Sequence, residues 1–187
     1  MHYKLTLITT EFPTNEVIDA ALEPYSGERF WKDNEENHKE YPAFLWDWYQ
    51  VGGRYGGFFK LDIEKTEEEY EWKYVKERNN VVFRSYVYDK LYAVCPPNEQ
   101  WKISEHEFYN HLGYQDGYLR VDGGKIADMM EFDITLTCYI LDRDGKAYAR
   151  KSWNGDKWVT DDSFDEKAKA VLADSADCYI CTIDIHD

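Results

Sequence analysis

The sequence predicts an α+β fold: a mainly antiparallel sheet with helices on one face, in a ferredoxin-like split β-α-β arrangement with a large central insertion. Three observations predict it. The chain opens with an alternating apolar run followed at once by a capped helix, its last third holds strand pairs joined by tight turns, and it closes with a helix and a strand. At 187 residues a single domain over 1–187 is expected, with 64–131 inserted within it.

Tyr3-Lys-Leu-Thr-Leu-Ile-Thr-Thr10 alternates as a strand does. Thr14-Asn-Glu-Val-Ile-Asp-Ala-Ala-Leu22 then supplies a capping hydroxyl, an acid in the first turn and Val17, Ala21 and Leu22 at helical spacing, and Pro24 ends the helix. Residues 26–40, with Gly27 and the run Lys32-Asp-Asn-Glu-Glu-Asn-His-Lys-Glu40, have little to bury and predict a solvated loop. Residues 54–63 read as a second strand.

Between Glu64 and Met130 the pattern is less regular. Tyr70, Trp72 and Tyr74 alternate with Glu71 and Lys73 in a stretch that fits a strand or a helix, whereas Ser104 with Glu107, closed by Gly113, predicts a short helix. Beyond it, Phe132–Leu141 and Lys146–Trp153 flank the turn Asp142-Arg-Asp-Gly145, and Asn154-Gly155 predicts a type I′ turn leading to Trp158 and Val159. Ser163 and Glu166 form a capping box for a helix through Leu172, and Asp177–His186 is the last strand.

Composition excludes several function classes. With 22 Lys+Arg against 37 Asp+Glu the formal charge is −15, so direct nucleic-acid binding through a counterion-displacing basic face is not expected. A 43% hydrophobic and 17% aromatic content excludes a disordered acidic tail. No run approaches the roughly 20 apolar residues of a membrane span and no signal-peptide pattern is present, so a cytoplasmic protein with no membrane contact is expected. Cys95, Cys138, Cys178 and Cys181 are then expected as reduced thiols. The C-x-x-C of Cys178 and Cys181 lies in a predicted strand, where residues three apart point to opposite faces, which favours structural thiols over a metal or redox pair.

Other motifs lack a part their chemistry requires. His106 and His111 begin like a zinc-protease helix, but five residues leave the imidazoles about 140° apart. Asp142-x-Asp144-Gly145 starts like a calcium loop whose closing acid would be Trp153, so a tight turn is expected. Gly52-Gly-Arg-Tyr-Gly-Gly57 resembles a phosphate loop, yet it leads into a predicted strand and not a helix, so its glycines are expected to relieve the backbone beside large aromatics. Asp122-Gly-Gly-Lys125 reads as a turn. No metal set and no cofactor are expected.

The densest cluster is Tyr41-Pro-Ala-Phe-Leu-Trp-Asp-Trp-Tyr-Gln-Val-Gly-Gly-Arg-Tyr-Gly-Gly57. In an extended chain Trp46 and Trp48 share one side, with Asp47 and Tyr49 on the other. One reading is a tryptophan-filled core with an Asp47–Arg54 ion pair. The other is a ligand pocket of Trp46, Asp47, Trp48 and Arg54, in which Arg54 offers a planar cation to a carboxylate or phosphate and the aromatics flank a flat ligand. At the far end Asp184 and His186 share a strand face, and the carboxylate could orient the imidazole for proton transfer.

The Leu22-Glu-Pro-Tyr25, Trp46-Asp-Trp-Tyr-Gln-Val-Gly-Gly-Arg-Tyr-x-Gly57, Asp122-Gly-Gly-Lys-Ile-Ala-Asp128 and Thr182-Ile-Asp-Ile-His186 segments together resemble a family of uncharacterised proteins of tailed bacteriophages and prophages. The resemblance spans most of the chain and implies a phage context but no reaction. On that basis the first functional expectation is a phage accessory protein acting by protein–protein binding. Its partner would be a host protein with a basic surface, as for an anti-CRISPR-like inhibitor of a nucleic-acid-handling defence system. The alternative expectation is a small enzyme or ligand-binding protein for an anionic, nucleotide-like ligand, in which Arg54 grips the anion and His186, oriented by Asp184, moves a proton.

Overall fold

The computed structural model describes residues 1–33, 41–55, 59–62, 72–77, 80–85, 91–93, 118–129, 137–154 and 156–187. It is an α+β protein with a mainly antiparallel, mixed sheet and few helices. The strands are β1 (His2–Thr9), β2 (Trp48–Val51), β3 (Phe59–Asp62), β4 (Trp72–Glu77), β5 (Asn80–Ser85), β6 (Leu91–Ala93), β7 (Tyr118–Lys125), β8 (Tyr139–Leu141), β9 (Ala147–Ala149), β10 (Lys151–Trp153), β11 (Trp158–Thr160) and β12 (Tyr179–His186). The helices are α1 (Asn15–Leu22), α2 (Gly27–Asp33) and α3 (Phe164–Ala173).

The main sheet runs β3-β7-β12-β1-β8-β9, with β6 paired to β7 and β2 paired to β12. Its spine is the β1–β12 pair, antiparallel from His2↔His186 to Thr9↔Tyr179, while β1 and β8 are parallel. On its other side β12 is shared. Residues 183–186 pair with β2 and residues 179–181 pair with β7. The segment read as an insertion thus contributes β6 and β7 to the main sheet, and β4–β5 form a separate two-stranded unit. The predicted helix around His106 and His111, and Cys95, lie outside the described residues.

The alternation of β1 and β12 sorts their side chains onto two faces. Leu5, Leu7, Cys181, Ile183 and Ile185 point into a core with Ile18 and Leu22 of α1, Phe44, Tyr139 and Leu141. The helices do not share that core as the one-face arrangement requires. Phe164, Ala168 and Leu172 of α3 are buried but stand outside the cluster that holds α1.

Local signals explain the element ends. Thr14 accepts from the Val17 N–H at the start of α1, and a 3₁₀ turn over Glu23–Tyr25 carries the chain past Pro24. Residues 27–33 are a helix and not the expected loop. It is anchored by the Gly27 N–H to the Trp46 carbonyl at 2.8 Å and the Phe30 N–H to the Ser26 carbonyl at 2.9 Å. The Asp142 turn consumes its own carboxylate, since Oδ1 accepts the Asp144 and Lys146 N–H groups at 3.0 and 2.8 Å. The predicted strand Lys146–Trp153 is broken at Arg150, whose N–H goes to the Cys138 carbonyl and whose carbonyl accepts from Asp161. The chain leaves the main sheet there and forms the β10–β11 hairpin. The Ser163/Glu166 capping box does not form at α3. Ser163 makes no side-chain cap, and its N–H and hydroxyl both donate to Asp161 Oδ1.

Candidate functional site

The face of β1 and β12 opposite the α1 core is polar, and the register dictates its layout. His2, His186 and Trp48 stand in one row across β1, β12 and β2; Lys4, Asp184 and Gln50 form the next. In the first row Trp48 stacks on His186 at 5.5 Å and 12°. His2 meets Trp48 edge-on at 5.3 Å and His186 at 5.0 Å. Three rings from three strands thus make one aromatic surface, with Trp48 43% exposed.

Each imidazole is backed by a carboxylate. His2 Nδ1 lies 2.9 Å from Asp184 Oδ1, and His186 Nδ1 lies 2.9 and 3.2 Å from the two Asp47 oxygens. This redistributes the expected pairs. Asp184 holds His2, its diagonal neighbour across the β1–β12 pair, and not His186 two residues along its own strand. Asp47 pairs with His186 and not with Arg54. The His186 hydrogen bond holds the Asp47 carboxyl below its usual value.

The two dyads differ in burial. Asp184 is 1% exposed, and its second oxygen accepts the Arg54 N–H at 3.0 Å. A carboxylate accepting at both oxygens requires His2 Nδ1 to donate and leaves Nε2 as the ring's second nitrogen. That Nε2 makes no hydrogen bond among the described residues. His186 Nε2, by contrast, lies 3.3 Å from the Met1 amino nitrogen. The open His2 nitrogen is therefore the group best placed to take or give a proton.

The glycines of the Trp/Gly/Arg segment explain how Asp184 is sealed. Gly52 and Gly53 have φ of +68° and +51°, a region that favours glycine. A Cβ on Gly52 would lie 2.5 Å from the Asp122 carboxylate, and one on Gly53 would lie 2.5 Å from Asp184 Cβ. The glycines make room for two buried acids, and not for the aromatics that the sequence suggested. The turn continues through Arg54 to Tyr55, whose hydroxyl donates to the His2 carbonyl at 3.3 Å. Arg54 itself is exposed, and its guanidinium makes no ion pair among the described residues.

Trp46 departs from the expected pocket. The chain bends at Asp47, whose N–H reaches the His186 carbonyl, so the extended alternation begins only at Trp48. Trp46 falls on the core side against Tyr49, with its indole N–H donating to the Leu22 carbonyl at 2.8 Å. Trp48, Asp47, Arg54, Asp184 and His186 converge, and Trp46 does not. Sequence reasoning missed His2 and Asp122. The register of the two terminal strands brings His2 into the row, and only the Gly-Gly pair hinted at a buried acid nearby. Among the described residues no set of three His, Cys, Asp or Glu side chains is arranged to hold a metal ion. Cys138, Cys178 and Cys181 are free thiols, the latter two buried.

No family model, curated protein or solved structure matches this chain.

Proposed function

We propose that the His2–His186–Trp48 face binds an anionic, nucleotide-like ligand, with the exposed Trp48 ring stacking on its flat portion, Arg54 meeting its anion and His2 transferring a proton. The observation that carries this reading is the buried Asp184, which fixes His2 through one oxygen and the Arg54 turn through the other. A carboxylate committed in this way aligns the base and the cation-bearing loop in one step. His2 and His186 are adjacent, so one can act as acid while the other acts as base.

The test is thermal stability of the protein across a panel of nucleoside mono- and diphosphates, inorganic phosphate and simple carboxylates. A concentration-dependent rise with a nucleotide, reduced in Arg54→Gln and in Trp48→Ala, is expected. Unchanged melting across the panel contradicts the reading.

One observation favours a second reading, the phage accessory protein that binds a basic host surface. Beside α2 the aromatic side chains of Phe30, Trp31 and Tyr41 cluster with Trp31 56% exposed, next to a groove whose acids Asp19, Glu23 and Glu28 stand among Arg29, which pairs with Glu23, and Lys32. A pull-down from bacterial lysate should then retain a basic protein at low salt and release it as salt rises. Retention that Trp31→Ala leaves unchanged would count against this surface.

A further inference from the structure

A second concavity lies between the start of β1, β8 and the β10–β11 hairpin; Met1 is one of its walls and borders the imidazole face, with its amino nitrogen 3.3 Å from His186 Nε2. Its volume is about 550 Å³ and its walls include Tyr3, Cys138, Tyr139, Arg150, Lys151 and Trp158. Sites for small organic ligands span roughly 300–1,000 Å³ and combine apolar walls with a few polar groups. This one shares no residue with the Trp48 row or the Arg54 turn.

The floor is aromatic and set. Tyr3 and Tyr139 meet edge-on at 5.7 Å, and Tyr139 is buried against the main core. Burial raises the pKa of both phenols, so each keeps its proton. The hairpin supplies the rim. The register places Trp153 opposite Trp158 and Lys151 opposite Thr160, so alternation puts Lys151, Trp153 and Trp158 on one hairpin face. Trp153 braces Trp158 edge-on at 5.8 Å, and Trp158 remains 57% exposed, a large apolar surface held ready on a cavity wall.

The cations differ in their commitments. Arg150 donates to Asp165 at 2.6 Å and to the Thr137 carbonyl at 3.1 Å, and it stacks over the Phe164 ring at 4.5 Å. It is a structural brace between sheet and helix. Lys151 is exposed and makes no ion pair among the described residues. An ammonium with no ion pair among the described residues, beside an exposed indole and two phenols that also feel the Asp187 charge, selects for a negative, ring-bearing molecule at the Lys151 end of the cavity.

We propose that this cavity is a separate binding site for a small planar aromatic carboxylate, whose ring inserts between Trp158 and the Tyr3–Tyr139 floor and whose anion pairs with Lys151. The probe is 2-naphthoate, titrated by calorimetry beside its neutral isostere 2-naphthamide. Binding of one naphthoate per chain is expected, with the amide weaker by about tenfold for the lost charge-assisted bond. Lys151→Gln should remove most of that difference and Trp158→Ala should weaken both compounds; both side chains are exposed, so the fold is kept, as circular dichroism will verify. Cys138 gives an independent readout, because a bound ring should slow its alkylation by iodoacetamide in peptide mass spectra. Absence of binding up to millimolar naphthoate, equal affinity for acid and amide, affinity untouched by both substitutions, or alkylation of Cys138 unaffected at saturation would each overturn the proposal.

Discussion

Replacing Gly53 by alanine tests the packing that seals Asp184. Gly53 sits at φ +51°, where a residue with a side chain costs about 1–2 kcal/mol. The new methyl would also lie 2.5 Å from Asp184 Cβ and 2.6 Å from its Oδ2, and Asp184 is buried between His2 and the turn. The turn must therefore lift, which sacrifices the Arg54 N–H bond to Asp184 at 3.0 Å. A hydrogen bond to a charged group contributes about 1.5–3 kcal/mol, so Gly53→Ala should destabilise by about 3–5 kcal/mol in total. Gly145→Ala is the control. It has φ +78° and nothing within 4 Å of an added Cβ, so only the backbone cost of about 1–2 kcal/mol applies. Urea unfolding of the two variants measures the difference at constant slope. If the two lose equal stability, the Gly53 turn does not rest on Asp184 and the argument for its role in the site fails.

Three further outcomes follow from the same structure. Asp184→Ala strands the Arg54 N–H and His2 Nδ1 without an acceptor and should lose roughly 2–4 kcal/mol in urea unfolding, whereas Asp47→Ala, on the exposed dyad, should lose far less; equal losses would contradict the difference in burial. Trp46→Phe removes the indole bond to the Leu22 carbonyl and should cost about 1 kcal/mol or more, with no change in ligand response, because Trp46 faces the core. Hydrogen bonds from Lys167 and Ser163 lower the Asp161 carboxyl from 3.8 to about 2. A lowered pKa gives stability that is full above the unfolded value and is lost as pH falls through the folded one, so the melting curves of Asp161→Asn and the parent should differ at neutral pH and converge between about pH 4 and pH 2. A gap that persists at pH 2 would refute the assignment.

The parts legible in the sequence are those fixed by neighbours in the chain. Thr14 caps α1, Asp142 closes its own turn, and the alternation of β1 and β12 announces both strands, because each signal acts within about four residues. Where the deciding contact is distant, the reading departs. Helix α2 has a weak local pattern and is anchored through the Trp46 carbonyl. Trp46 and Trp48 part company because a hydrogen bond from Asp47 to His186, 139 residues along the chain, sets a bend that alternation alone does not contain. The Ser163 hydroxyl turns to the Asp161 carboxylate, which also takes the Lys167 ammonium, and so caps no helix amide. At the site, the sequence yielded Trp48, Asp47, Arg54, Asp184 and His186 as residues of interest but not their pairing. His2 lies just before the strand expected from Tyr3, and only the β1–β12 register sets it opposite His186 and within reach of Asp184.

The most direct measurement of the imidazole site is a nuclear magnetic resonance titration of the histidine ring and tryptophan indole signals with 5′-AMP. Saturable shifts of His2, His186 and Trp48 at one common affinity, lost in Asp184→Asn while Trp46 stays still, are the predicted result. Ring signals of His2 and Trp48 that stay fixed up to millimolar nucleotide would contradict a ligand on that face.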